Sequence, residues 1–208
     1  MCYRQSMNAK SQHAPLTLAT KITIARILGI PVFVLILIYY KMSLVEGDPV
    51  EIYRPMALVL FILIAGTDAL DGFLARTRDE VTRLGAILDP LADKALLLSA
   101  IILLTRPSLP ELSPQFPVWF TLLIISRDAV LLTGSYVVHA MTGHVHVQPR
   151  FTGKAATFFQ MAAIIAALIP LPLQLFFWIV GIAALFTLIS GLQYIVDGVR
   201  QVESTPHA

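Results

Sequence analysis

The chain has 208 residues, of which 57% are hydrophobic and 13% charged, and its mean hydropathy is +0.77. A soluble domain carries about twice that share of charge, so an ordinary soluble globule is excluded and the chain falls among membrane proteins. The formal net charge of +2 is too small to imply nucleic acid as a partner, and a pI near 8.8 fits basic residues facing anionic lipid.

Residues 1–18 read as a polar tail. They lack the short apolar core and small-residue cleavage site of a secretory signal, so no cleavage is expected. Cys2 is the single cysteine, which rules out a disulfide within the chain. A spanning helix needs about 20 mostly apolar residues. Six stretches meet that need, at 22–40, 55–75, 84–104, 117–139, 153–171 and 174–196. Pro31 interrupts the first, which membrane helices tolerate when neighbours re-satisfy the backbone. Residues 170–173 make a tight hairpin between the last two. We therefore expect an all-α integral membrane protein of about six transmembrane helices. One domain covers 19–198, with a polar C-terminal tail at 199–208.

Basic residues set the orientation. Arg4, Lys10 and Lys21 precede the first span, Arg76, Arg78 and Arg83 join the second to the third, Arg150 and Lys154 join the fourth to the fifth, and Arg200 follows the sixth. The opposite side has Lys41, Arg54 and Arg106. The Lys/Arg excess marks the cytoplasmic side. Both termini and the 76–83 loop are expected there, in the cytoplasmic membrane.

Four aspartates interrupt the second and third spans: Asp68, Asp71, Asp89 and Asp93. A carboxylate inside a bilayer costs roughly 3 kcal/mol on insertion scales. A group of them repels itself unless a cation or proton neutralises it. Asp68 and Asp71 are spaced i, i+3, and Gly85, Asp89 and Asp93 are spaced i, i+4, i+8, so each set shares a helix face. The loop between them is short, so antiparallel neighbours can converge their acidic stripes on one cavity. Carboxylate oxygens select hard cations such as Mg²⁺, Mn²⁺ or Ca²⁺. No Cys or His stands at ligand spacing, which argues against zinc. Two-metal sites of this kind serve displacement at phosphorus. Gly72, Ala75 and Gly85 leave room for a ligand or a close helix approach, and Arg76 offers a planar donor fork for phosphate. Two alternatives stand beside this reading. The acids could form salt bridges with Arg76, Arg83 and Lys94, or they could line the ion path of a carboxylate-based transporter.

At these positions the sequence resembles the CDP-alcohol phosphatidyltransferases. Their signature D-x2-D-G-x2-A-R-x8-G-x3-D-x3-D is matched at Asp68, Asp71, Gly72, Ala75, Arg76, Gly85, Asp89 and Asp93. The resemblance implies a six-helix bundle that moves a phosphatidyl group from CDP-diacylglycerol to an alcohol and releases CMP. It implies Asp68, Asp71 and Asp89 as metal ligands for Mg²⁺ or Mn²⁺, two ions in all. It implies Asp93 as general base, also near a metal. Asp68, Gly72, Ala75 and Arg76 fall in the cytidine nucleotide site. Membrane lipids and a homodimer are the implied partners.

Other polar residues lie in apolar surroundings. Arg26 follows Thr20 and Thr23 at three-residue spacing and could reach a phosphate or snorkel to the headgroups. The family often has Asn where Thr20 stands. Arg127 and Asp128 sit inside the fourth span, where such residues face a cavity or a partner. Arg127 reads as an acceptor-phosphate ligand, with a structural pair to Asp128 as the alternative. The segment 150–160 resembles the G-K-x-x-T-x-x-Q stretch of glycerol-acceptor members. Arg150, Lys154, Thr157 and a helix N-terminus near Gly153 make an anion site, with interface anchoring as the alternative for the two cations. His139, His144 and His146 show no metal spacing.

These features are similar to phosphatidylglycerophosphate synthases and single-motif cardiolipin synthases. The expected acceptor is therefore a glycerol unit bearing phosphate, either glycerol 3-phosphate or phosphatidylglycerol. Asp128 stands where many of the former have Glu, and Ser135 and Tyr136 supply no second Arg. Inositol phosphate or serine would be the same chemistry with another alcohol.

Overall fold

A computed structural model describes the backbone of residues 18–78, 83–105, 113–142, 151–169 and 171–203, and the side chains of 24–67, 91–105, 113–137, 151–169 and 171–200. Six helices follow in order: α1 (Leu18–Val45), α2 (Tyr53–Arg78), α3 (Arg83–Leu103), α4 (Val118–Thr142), α5 (Phe151–Leu168) and α6 (Leu173–Glu203). No strand occurs among the described residues. The all-α architecture expected from hydropathy is the one observed. Helix α1 continues through Pro31. It ends at Gly47, whose φ of 79° is open to glycine at little cost.

Among the described residues, four helical stretches are long and apolar enough to cross a membrane: Ile24–Val45, Val118–Val137, Phe151–Leu168 and Leu173–Arg200. Within α2 the described side chains form a further apolar stretch at Tyr53–Thr67. Helix α3 carries Asp89, Asp93 and Lys94.

The bundle is built as two packed groups. Helix α1 lies against α2 and α3, α6 lies against α4 and α5, and α5 bridges back to α2 and α3. Among the described residues, many of the largest core side chains gather toward one end of it. Phe33, Leu37, Phe61, Leu97, Phe120 and Phe176 are all buried there. They come from the C-terminal part of α1, the N-terminal parts of α2, α4 and α6, and the C-terminal part of α3. Phe116 stacks obliquely on both Phe120 and Phe176, at 5.2 and 5.5 Å between ring centres. Outside this core, large apolar side chains such as Leu28, Leu63, Leu132 and Trp178 are exposed. Those surfaces need a hydrocarbon solvent.

Helix ends at the dry side are closed by cations from neighbouring helices. The Arg54 guanidinium donates from Nε to the Leu168 carbonyl at 3.1 Å, and from Nη2 to the Ala167 and Ser113 carbonyls at 3.0 and 3.1 Å. Lys41 donates to the Leu103 carbonyl. The last carbonyls of a helix have no partner within it and carry its negative dipole end, so both contacts are favourable. Two of the three basic residues assigned to this side from sequence thus have a structural use.

Replacing Arg54 with Ala strands several carbonyls at the end of α5. We expect a loss of about 1–3 kcal/mol, read as a lower melting midpoint of detergent-solubilised protein. Arg54→Lys should recover only part, since an ammonium lacks the planar fork. An unshifted midpoint for Arg54→Ala would show that these carbonyls find other donors.

Candidate active site

The polar half of the bundle is the other end, where α2 finishes, α3 begins and α5 begins. Asp68 and Asp71 fall on α2, and Asp89 and Asp93 on α3, separated by residues 79–82. The side chains of Asp68, Asp71, Gly72, Ala75, Arg76, Gly85 and Asp89 lie outside the described residues, as do Thr20 and His139. Arg150, His144 and His146 lie outside them altogether. Asp93 is described and is half-buried on α3. No group of three or more His, Cys, Asp or Glu occurs among the described residues.

Next to Asp93 in the chain, Lys94 opens a polar seam across three helices. Its ammonium donates to both oxygens of Asp128 on α4, at 2.9 and 2.8 Å. Arg127 donates from Nη1 to Asp128 Oδ1 at 2.8 Å and from Nη2 to Ser190 Oγ on α6 at 2.8 Å. The side chains of Arg127 and Asp128 are 10% and 12% exposed. Two glycines lie beside the guanidinium at ordinary contact distance. A Cβ built on Gly153 would lie 3.5 Å from both Arg127 Nη2 and Ser190 Oγ, and one on Gly191 would lie 3.4 Å from Arg127 Cγ. Arg127 Nε is buried without a hydrogen-bond partner. A buried charged donor left unpaired is costly, and an anion would relieve it.

Of the two expectations for Arg127, the structural pair is the one observed. Its Nε is the donor left over. Lys94 pairs with Asp128 through two hydrogen bonds. Among the described residues of this seam, one carboxylate faces two cations, Arg127 at 10% and Lys94 at 35% side-chain exposure. Arg26 is buried at 3% exposure, so it points into the protein and does not snorkel at the bundle surface.

The start of α5 is more ordinary. Lys154 is exposed. Thr157 donates to the Gly153 carbonyl at 3.2 Å, so its hydroxyl proton is held inside the helix. Thr152 donates to Gln193 at 2.6 Å, and buried Gln160 donates to Thr187 at 2.9 Å. These bonds fasten α5 to α6. Sequence reasoning missed Ser190. Its signal was the adjacent small pair Ser190 and Gly191, a mark of close helix approach.

A family model for the CDP-alcohol phosphatidyltransferases matches residues 16–189. A CDP-diacylglycerol--glycerol-3-phosphate 3-phosphatidyltransferase from Bacillus subtilis is 36% identical, over 85% of this chain and 92% of that protein. The protein of the same name from Escherichia coli K12 is 32% identical, over 85% and 91%. A CMP-forming cardiolipin synthase from Streptomyces coelicolor is 32% identical, over 82% and 72%. The chain belongs to the CDP-alcohol phosphatidyltransferase family. It is an integral membrane transferase of that type, as its hydropathy required. The family generally uses divalent metal ions. The donors available on α2 and α3 fit such an ion, being all carboxylate and free of thiolate or imidazole.

Removing the shared carboxylate tests the seam. Asp128→Ala leaves Lys94 and Arg127 facing each other without a counter-charge and should cost about 3 kcal/mol in stability. Adding Lys94→Met should restore part of the melting midpoint by removing one of the two cations. Equal midpoints for wild type and Asp128→Ala would mean the seam contributes nothing to stability.

Proposed function

We propose that the chain transfers the phosphatidyl group of CDP-diacylglycerol to a glycerol-type alcohol that carries a phosphate, releasing CMP. The observation that carries this is the eight-position motif, filled without exception in a chain whose family model match spans residues 16–189. Glycerol 3-phosphate is the first acceptor to test, given the names of the Bacillus and Escherichia relatives. The Streptomyces relative keeps phosphatidylglycerol as the second.

In this reading the acceptor hydroxyl oxygen attacks the β-phosphorus, the bond to the CMP oxygen breaks, and Asp93 takes the hydroxyl proton. Asp68, Asp71 and Asp89, with Asp93, would hold the Mg²⁺ or Mn²⁺, two ions in all, whose charge offsets that on the phosphates. Gly72 and Ala75 leave space for the cytidine nucleotide beside Asp68, and Arg76 adds donors for its phosphate. Arg127 binds the acceptor phosphate, supported by its unpaired buried Nε. Arg26, Arg150 and Lys154 would contribute further positive charge for that phosphate. The Lys/Arg distribution supports a site and both termini on the cytoplasmic side of the cytoplasmic membrane. A homodimer is the assembly that the family resemblance supports.

Purified protein given CDP-diacylglycerol, Mg²⁺ or Mn²⁺ and glycerol 3-phosphate should release CMP and form a lipid product of matching mass. Chelation should stop the reaction, and either ion should restart it. Asp93→Asn should lower turnover by at least about 100-fold, the range of general-base catalysis, with little change in melting. Absence of CMP with every glycerol, inositol or serine acceptor would overturn the transferase reading. Wild-type turnover in Asp93→Asn would remove Asp93 as the base.

A further inference from the structure

The guanidinium of Arg127 is held at both ends by side chains from other helices. One terminal nitrogen is fixed to Asp128, which Lys94 of α3 grips through both oxygens. The other is fixed to Ser190 of α6 at 2.8 Å. Ser190 is itself 6% exposed and faces the same point as Gly153 of α5. A flexible arginine loses several rotatable bonds when it binds an anion, and prior fixing of its plane lowers that cost. Lys94 has a second effect. With both Asp128 oxygens engaged by an ammonium, the carboxylate neutralises less of Arg127, and more of the guanidinium's charge is left for an incoming anion.

We propose that Ser190 and Lys94 are positioning residues for the acceptor, acting through Arg127 without touching the substrate. Ser190 sets the orientation of the guanidinium. Lys94 stops Asp128 from competing with the acceptor's phosphate. The proposal rests on the reading of Arg127 as the acceptor-phosphate ligand. It also ties the acceptor site to the helix that carries Asp93, because Lys94 is the adjacent residue.

The experiment is steady-state CMP release, varying glycerol 3-phosphate and CDP-diacylglycerol separately, for Ser190→Ala, Lys94→Met, Lys94→Arg and Arg127→Ala. Ser190→Ala and Lys94→Met should each raise KM for glycerol 3-phosphate about tenfold, the effect of losing one charged hydrogen bond. The turnover number and KM for CDP-diacylglycerol should stay within about twofold, the pattern of lost ground-state binding. Lys94→Arg should restore the acceptor KM. On an Arg127→Ala background, Ser190→Ala should add nothing further. If Arg127→Ala itself leaves the acceptor KM unchanged, the acceptor reading falls and this proposal falls with it. If Arg127→Ala raises that KM while neither Ser190→Ala nor Lys94→Met does, only the positioning role is overturned. It is likewise overturned if both variants change all kinetic constants together, or lower only the melting midpoint, since that is the signature of a purely structural contact.

Discussion

The carboxylate of Asp128 between the Lys94 ammonium and the Arg127 guanidinium is the contact on which the polar half of this protein depends. Three helices contribute to it directly or through Ser190, and a fourth approaches through Gly153. In an apolar bundle no one of these charges is tolerable alone. Each helix can bring its polar residue inward only because another helix supplies the opposite charge or a hydroxyl. The seam therefore does two things. It stabilises the packing of α3, α4 and α6, and it holds a cationic fork at the end of the bundle where the acidic motif lies.

The division of the bundle into a dry end and a polar end follows from the same constraint. Aromatic and aliphatic side chains fill the first end, where Arg54 and Lys41 close helix termini by donating to carbonyls. That end gains its stability from burial and from satisfied backbone, and it supplies a rigid base. Toward the second end the described residues include the charged seam of Lys94, Arg127 and Asp128. Such a site loses less if the remainder of the fold is well packed, which is the arrangement seen here.

Much of the fold was legible in the sequence, because the bilayer imposes its thickness on each apolar run. All six expected stretches overlap the observed helices, and the hairpin at 170–173 falls between α5 and α6. The motif was legible because carboxylates at helical spacing in apolar sequence have few explanations. The pairing of cations was less so. Lys94 was a candidate partner for the motif acids, and it bonds Asp128 from another helix. Thr157 suggested an anion donor, and its hydroxyl bonds within α5. Arg26 was open between snorkelling and burial until its exposure was known. In each case the missing information was which neighbouring helix faced the side chain, and periodicity along one helix does not contain that.

The sequence by itself determined the class of solvent and the number and order of helices, and it carries the acidic motif. These depend on local run lengths and on residue types at fixed spacing. The tertiary structure alone decided that Arg127 is braced by Ser190 and Asp128, that Lys94 shares that carboxylate, and that Gly153 and Gly191 lie beside the guanidinium. Those contacts join residues up to 63 positions apart. They exist only because packing the apolar faces of six helices fixes their rotations, and with them the direction of every polar side chain inside.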